Sequence, residues 1–255
     1  MFDSLFENYE RLVFFDTETT GFDAENTDQI IELAAIALDR NGKETVMDEY
    51  VRLFRLPELP DKIMQLTGIL PLDLAMGKSE LEALEEFVKL MQPNDGGDIL
   101  LVAHNAQFDI EFLAYSIYRN RDHGKGWMVL LKSADYLDTL TVYKDRASYP
   151  HKLEAAINHY GLAGKVKNSH RAIDDVKALL EVCRAMEKEK PDLHKYVNLF
   201  GFNPKYGSGK NHLRKVAYVP QDLWKHPTAK PAYETKGGDV NVNRSKQPQR
   251  IRASV

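Results

Sequence analysis

The stretch LVFFDTETTG, residues 12–21, decides the fold, because an apolar run ends there in two closely spaced acids. Leu12 to Phe15 is continuously apolar, which is typical of a short strand that is buried on both faces. Residues i and i+2 of a strand point to the same face, so Asp16 and Glu18 present their carboxylates side by side. Such a pair is costly at the end of a buried strand unless a cation lies between the two groups. By itself the pair is weak evidence, since an acid-rich turn has the same composition.

The sequence around this stretch predicts an α/β domain with a mixed sheet. Two further strands, Gln29 to Leu38 and Glu44 to Leu53, flank the turn signal Asn41-Gly42, which indicates a three-stranded meander. Strands and helices then alternate. The remaining predicted strands are Ile99 to Val102 and a short one at Tyr136. The predicted helices are one that follows the N-cap Ser79 and includes Leu81 to Met91, one after Asp138, and those at Ala106 to Arg119, Leu153 to Tyr160 and Ala172 to Met186.

A third acid, Asp109, follows the strand that ends at Val102, in the stretch VAHNAQFD. An acid at the start of the next helix can face back over the strand ends, where open α/β sheets place their sites. The alternative is an ordinary acid in the first turn of a helix, favoured there by the helix dipole.

The stretch SHRAIDD, residues 169–175, opens the last long helix and supplies a histidine and a fourth acid. On an ideal helix His170 and Asp175 would lie about 140° apart. We therefore place His170 at the helix entrance and Asp175 one turn in. A histidine on mobile backbone beside clustered acids suits a proton acceptor; the alternative for a lone histidine is a plain surface residue.

These motifs, in this order, resemble the DEDDh branch of the DEDD 3′→5′ exonucleases, which includes the epsilon-type proofreading subunits and domains of bacterial DNA polymerase III. The resemblance covers Leu12 to Glu187 and includes three intervening signatures: QLTGI at 65–69, LDT at 137–139 and KLEAAINHYG at 152–161. It implies an α/β ribonuclease H-like fold, with a mixed five-stranded sheet flanked by helices. It also implies a metal-dependent enzyme that hydrolyses single-stranded DNA ends to nucleoside 5′-monophosphates, in proofreading or repair.

The resemblance assigns chemical roles to five residues of this chain. It implies Asp16, Glu18, Asp109 and Asp175 as ligands of two Mg²⁺ ions about 3.5–4 Å apart, with Mn²⁺ as a possible substitute. It implies His170 as the general base. Only Asp175 has the spacing from His170 that is typical of this branch, so the adjacent Asp174 is expected to face elsewhere.

The resemblance also assigns residues near the terminal nucleotide. The implied substrate-binding residues are Thr19, Gly21, Phe22, Thr67, Asn105 and Phe108. Phe22 and Phe108 could stack on the last bases, although core packing is an equally good reading of Phe108. Glu32 resembles a structural acid of the second strand and receives no catalytic role.

Composition and charge set the limits of the remaining predictions. The chain has one cysteine, Cys183, which excludes a disulfide framework, and no secretory signal or membrane-length apolar run is recognised. We therefore expect a soluble, cytoplasmic protein without a membrane partner. Residues 204–255 contain 11 Lys and Arg against 3 Asp and Glu, whereas the remainder contains 23 against 35. This contrast predicts an exonuclease domain at 1–200 and a basic, partly flexible tail at 201–255.

Two alternatives to a DNA exonuclease remain open at this stage. The substrate could be an RNA 3′ end, since relatives in the superfamily trim RNA and the sequence does not reveal a contact to the 2′-hydroxyl. The chain could instead act mainly as an accessory subunit, with its tail docking on a replicative DNA polymerase through the apolar segment Val216 to Trp224. The basic loop Arg121 to Trp127 reads as a plain surface connection.

Overall fold

Five strands form one mixed sheet. The computed structural model describes residues 2–93, 96–167, 169–209, 211–221 and 230–235. The strands are β1 Arg11–Thr19, β2 Ile30–Asp39, β3 Glu44–Tyr50, β4 Ile99–Ala103 and β5 Asp135–Asp138. β2 runs antiparallel to both β1 and β3, whereas β4 is parallel to β1 and β5 is parallel to β4. The predicted mixed five-stranded sheet and its initial meander are confirmed.

Alternate residues of β1 pack into two different cores, one on each face of the sheet. Leu12 and Phe14 belong to the cluster under helix α9 (Ala172–Glu189), while Val13 and Phe15 belong to the cluster under helices α4 (Glu80–Met91) and α5 (Ala106–Arg119). The helices are α1 Asp3–Phe6, α2 Asp61–Thr67, α3 Pro71–Met76, α4 Glu80–Met91, α5 Ala106–Arg119, α6 Trp127–Ser133, α7 Thr139–Arg146, α8 Leu153–His159 and α9 Ala172–Glu189. Because β1 is apolar on both faces, it packs against helices on both sides of the sheet.

The turn between β2 and β3 forms where the sequence predicts it. Gly42 has a φ of 82°, which favours glycine, and its N–H donates to the carbonyl of Asp39 at 2.8 Å. Helix α6 was not predicted, because the stretch up to Trp127 reads as a connection. An added Cβ at Gly124 would lie 2.2 Å from the Trp127 ring, so this glycine lets the ring pack over the turn that precedes α6.

Beyond β5 the chain adds a second, two-stranded parallel sheet, made of β6 Leu199–Phe202 and β7 Ala217–Pro220. Asn198, just before β6, exchanges hydrogen bonds with Tyr136 of β5: its backbone N–H donates to the Tyr136 carbonyl at 2.8 Å, and its Oδ1 accepts from the Tyr136 N–H at 3.0 Å. The N–H of Ala217 then donates to the Asn198 carbonyl at 2.8 Å. This small sheet therefore covers the outer edge of β5.

The predicted apolar segment Val216 to Trp224 lies partly in this small sheet. Val216 and Val219 are buried against the body, whereas residues 222–224 lie outside the described residues. The predicted division at residue 200 falls within β6, and it stays a prediction. Within the described ranges, no helix is both long and apolar enough to cross a membrane.

Candidate active site

Strand alternation places Asp16 and Glu18 on the face of the sheet that α9 covers. Leu12 and Phe14 pack under α9, and Asp16 and Glu18 continue the same alternation along β1. Asp175 lies in the first turn of α9 and approaches from the helix side. One carboxylate oxygen from each of the three acids lies within 4.8 Å of the others. Three of the four predicted metal ligands therefore converge.

The first turn of α9 is anchored to the sheet by Glu32, which is fully buried in β2. Arg171, just before α9, donates to Glu32 Oε1 from Nε at 3.1 Å and from Nη2 at 3.0 Å. The backbone N–H of Ala172 donates to Glu32 Oε2 at 3.0 Å. These bonds fix the start of the helix against β2, and they therefore fix where Asp175 lies relative to Asp16.

Asp109 reaches β1 from the opposite face. It lies on α5, and its Oδ1 accepts the backbone N–H of Thr17 at 3.0 Å and the Thr17 hydroxyl at 2.6 Å. Thr17 alternates with Asp16 and Glu18, so its side chain points toward α5. Asp109 is buried and does not belong to the group whose oxygens meet within 4.8 Å. It lies beside that group and is held there by Thr17.

Burial and mutual repulsion raise the pKa values of these acids. Burial, followed by the charge of Asp175, raises the pKa of Glu18 to about 8. Burial is also the main cause that raises the pKa values of Asp175 and Asp109 to about 7. The pKa of Asp16 lies well above its usual range, because of burial and then the charge of Asp109. Carboxyl groups are packed here at a spacing that disfavours their ionised form.

The group fits a divalent cation. Asp175 Oδ1 is buried and has no hydrogen-bond partner among the described residues. An unpartnered carboxylate oxygen beside two further carboxylates is costly in a protein interior unless a positive charge compensates it. Hard oxygen ligands of this kind are those that Mg²⁺ and Mn²⁺ prefer.

His170 lines the same cavity as Asp16 and Asp175. Its side chain is exposed, and its backbone φ is 55°, in the left-handed region that few residues other than glycine adopt. Backbone strain of this kind is concentrated at functional positions. The predicted position of His170 at the helix entrance agrees with α9, which begins at Ala172.

The end of β1 and the turn that follows it contain three of the predicted substrate-binding residues. Thr19 Oγ1 donates to the carbonyl of Gly21 at 2.7 Å. An added Cβ at Gly21 would lie 2.5 Å from Asp28 Oδ2, so only glycine fits without displacing that carboxylate. Phe22 is 90% exposed, and its ring lies 6.1 Å from the ring of half-buried Phe108 in an edge-to-face arrangement. An exposed ring at this turn is available to stack on a base.

Of the other two predicted substrate-binding residues, Asn105 lines the cavity and Thr67 does not. Asn105 lines the cavity with a φ of 71°, and its backbone N–H donates to Asp138 Oδ1 at 2.9 Å. Thr67 is buried, and it is not among the cavity-lining residues. Its hydroxyl donates to the carbonyl of Ile63 at 2.9 Å and accepts the N–H of Ile69 at 3.1 Å. The Thr67 hydroxyl is thus occupied within its own helix and the turn that follows.

The cavity has a volume of about 550 Å³ and includes residues that the sequence did not single out. Those with polar side chains are His104, Lys144, Tyr149, His151, Lys152 and Glu154. Both ring nitrogens of His104 are engaged, Nδ1 with Thr139 Oγ1 at 3.0 Å and Nε2 with the carbonyl of His151 at 2.9 Å. Two quoted stretches reach this part of the cavity: VAHNAQFD, which contains His104, and KLEAAINHYG, which begins at Lys152.

The raised carboxyl pKa values predict how stability depends on pH and metal. Between the usual carboxyl range and about pH 8, the metal-free folded chain binds more protons than the unfolded chain, so its free energy of unfolding falls as pH rises. Mg²⁺ binds the ionised carboxylates and should therefore stabilise more near pH 8 than near pH 5. We expect a rise in Tm of about 3–6 °C near pH 8 when Mg²⁺ is at roughly ten times its Kd.

Thermal melts with Mg²⁺ and with EDTA at both pH values would measure this effect. Asp16→Asn is the matched control, because it removes one charge from the group and should abolish most of the Mg²⁺-dependent rise. An equal rise at both pH values, or an undiminished rise in Asp16→Asn, would contradict the assignment of these acids to a metal.

Comparison with known proteins agrees with this geometry. The chain is 34% identical over 207 residues to the DNA polymerase III PolC-type of Clostridium perfringens, a match that covers 77% of this chain and only 12% of that protein. It is 28% identical over 189 residues to the DNA polymerase III subunit epsilon of Treponema pallidum, covering 73% of this chain and 81% of that one. The chain thus spans about an eighth of the PolC-type relatives that it matches.

The fold is shared with a solved nuclease. E. coli Exonuclease I in complex with a dT13 oligonucleotide superimposes with a TM-score of 0.61 at 20% identity, covering 73% of this chain and 43% of that one. This likeness confirms the predicted ribonuclease H-like fold. The exonuclease family model matches residues 13–183, which include every acid described above and His170. The chain therefore belongs to the exonuclease family.

Proposed function

We propose that this chain is a metal-dependent exonuclease that shortens single-stranded DNA from its 3′ end and releases nucleoside 5′-monophosphates. The observation that carries the proposal is the meeting of Asp16, Glu18 and Asp175 oxygens within 4.8 Å, in a cavity that His170 also lines. The names of the relatives, PolC-type polymerase and epsilon subunit of DNA polymerase III, support DNA as the substrate and a role in proofreading or repair.

The metal ligands in this proposal are Asp16, Glu18 and Asp175, with Asp109 beside them, and the proposed ions are two Mg²⁺ that Mn²⁺ can replace. Divalent ions bound there would lower the pKa of the attacking water and neutralise charge on the leaving oxygen. The side chains themselves contribute position: Thr17 orients Asp109, and Glu32 holds the helix that bears Asp175.

His170 is the proposed general base. It would accept one proton from the attacking water as the new O–P bond forms and the bond from phosphorus to the 3′ oxygen breaks. The 3′ oxygen leaves with the electron pair of that bond and takes a proton from solvent, which makes it the new hydroxyl end of the shortened strand. The released nucleotide carries the phosphate on its 5′ oxygen. Because His170 is exposed and lines the same cavity as the acids, its ring can contact the attacking water without a change in the fold.

The deciding experiment is degradation of 5′-labelled oligonucleotides by the purified chain, with Mg²⁺, with Mn²⁺ and with EDTA. We expect a ladder of products that shorten one nucleotide at a time from the 3′ end of single-stranded DNA, and no ladder in EDTA. Matched RNA and duplex DNA belong in the same assay. Faster cleavage of RNA would replace the proposed substrate with an RNA 3′ end, and cleavage that resists EDTA would contradict the metal.

The proposed partners are a single-stranded 3′ end and a replicative DNA polymerase. The second partner rests on the names of the relatives and on the basic character of residues 204–255, with 11 Lys and Arg against 3 Asp and Glu. In this proposal residues 1–200 form the exonuclease domain, and residues 201–255 form a segment that contacts the polymerase or the nucleic acid.

A further inference from the structure

Two lysines line the cavity that holds the acidic group, and neither takes part in the chemistry proposed above. Lys144 lies on α7 and Lys152 lies just before α8. Neither amino group forms one of the salt bridges found among the described residues, for which the N···O distance is at most 4.0 Å. A lysine that forms no close ion pair in a cleft can bind an anion that arrives from outside.

Lys144 is held in place by β6. Its side chain is half-buried, and Nζ donates to the carbonyl of Gly201 at 3.0 Å. An ammonium group has three N–H donors, so this bond leaves two of them for a ligand. Burial lowers the pKa of Lys144, although the charges of Asp138 and Asp145 act in the opposite direction.

Gly201 is itself fixed by a second set of contacts to α7. Its N–H donates to Thr141 Oγ1 at 2.8 Å, and Gln221 Nε2 donates to the carbonyl of Thr141 at 2.9 Å and to Asp145 Oδ1 at 2.9 Å. An added Cβ at Gly201 would overlap the Gln221 amide, so glycine allows β6 to lie this close. The segment beyond β5 therefore positions Lys144 within the cavity wall.

Lys152 supplies a second positive charge to the same cavity. It is exposed and is the last residue before the first turn of α8. Tyr149 lies shortly before Lys152 in the sequence. It is 57% exposed and also lines the cavity. A cavity of about 550 Å³ thus combines a cation-binding group of acids with two cations and an exposed ring. A nucleotide has the matching parts, which are a phosphate anion and an aromatic base.

We propose that Lys144 and Lys152 bind a phosphate of the nucleic-acid substrate and hold the strand in the cleft beside Asp16 and Asp175. This inference rests on the proposed function. The ligand chemistry is a phosphate monoanion or dianion, and it has two possible sources: a phosphodiester of the remaining strand, or the phosphate of the released nucleotide.

Binding of a fluorescein-labelled single-stranded DNA, measured by anisotropy in the Asp175→Asn background, tests the proposal without any cleavage. We expect Lys144→Met and Lys152→Met each to weaken binding about tenfold, the cost of one charge-assisted hydrogen bond. The slope of log K against log salt should fall by about 0.7 for each variant. Lys188→Met is the matched control: it removes the same charge from an exposed position in the last turn of α9 and should leave binding unchanged.

Inhibition of cleavage by a nucleoside 5′-monophosphate distinguishes the two sources of phosphate. If the lysine variants also weaken this inhibition about tenfold, the phosphate belongs to the released nucleotide; if inhibition is unchanged, it belongs to the strand. Lysine variants that bind DNA as tightly as Lys188→Met would overturn the proposal. A parent chain that cleaves no nucleic acid would refute the proposed function alone, because lysine-dependent binding is measured separately.

Discussion

Replacing Asp175 by asparagine should lower the cleavage rate at least about a thousand-fold, whereas the same change at Asp174 should alter it by no more than about threefold. Asp175 is buried, and one of its oxygens lies within 4.8 Å of oxygens of Asp16 and Glu18. Asp174 is half-buried, and its Oδ2 accepts the hydroxyl of Ser169 at 2.8 Å. The two acids carry the same charge on adjacent helical positions. Any difference between the two variants would therefore come from where each side chain lies.

The comparison uses kcat and KM for a single-stranded DNA oligomer at saturating Mg²⁺, with circular dichroism to verify folding. Asp174→Asn serves as the control for a lost negative charge near the helix start. Similar losses in both variants would show that total charge, and not a ligand position, determines activity. Full activity in Asp175→Asn would remove this residue from the metal site.

Replacing His170 by alanine should lower kcat by a factor of about 10²–10⁴, the usual contribution of a general base, while Tm stays nearly constant. The ring is exposed and lines the cavity, so its loss leaves no void in either core. His170→Gly should be equally inactive and slightly more stable, because a φ of 55° strains any side chain and does not strain glycine.

Stability and activity are therefore expected to change in opposite directions at this one position. His123→Ala is a suitable control, since His123 is also exposed but lies in the turn before α6 and is not one of the cavity-lining residues. Retention of more than about half of the activity in His170→Ala would exclude His170 as the proton acceptor.

Local periodicity predicted the direction of individual side chains well. The alternation of β1 predicted that Asp16 and Glu18 share a face, and the helical angle separated His170 from Asp175. Periodicity gives no information on which distant segments meet. The convergence of Asp175 with β1 was anticipated only through the family resemblance, and the anchor that enforces it, Glu32 with Arg171, joins residues 139 apart in sequence.

The elements that the sequence did not predict are short. Helices α2, α3 and α6 have seven, six and seven residues, fewer than two turns, so no amphipathic repeat can emerge. Strands β6 and β7 have four residues each, and β7 lies after Asn203, where glycines and prolines suggest a linker. Lys144 was not predicted as a cavity residue, because a lysine on a helix is usually exposed to solvent. Its position in the cavity wall depends on the hydrogen bond to Gly201, 57 residues away in the sequence.

The small sheet formed by β6 and β7 has a practical consequence for any shortened version of the chain. A truncation after residue 200 would retain every acid and the histidine discussed above, yet it would remove Ala217, which binds the Asn198 carbonyl beside β5. An edge strand whose N–H and C=O groups are exposed can pair with strands of other molecules, which leads to aggregation. A fragment chosen from the catalytic motifs alone would thus be prone to precipitate, and its poor yield could be mistaken for an inactive enzyme.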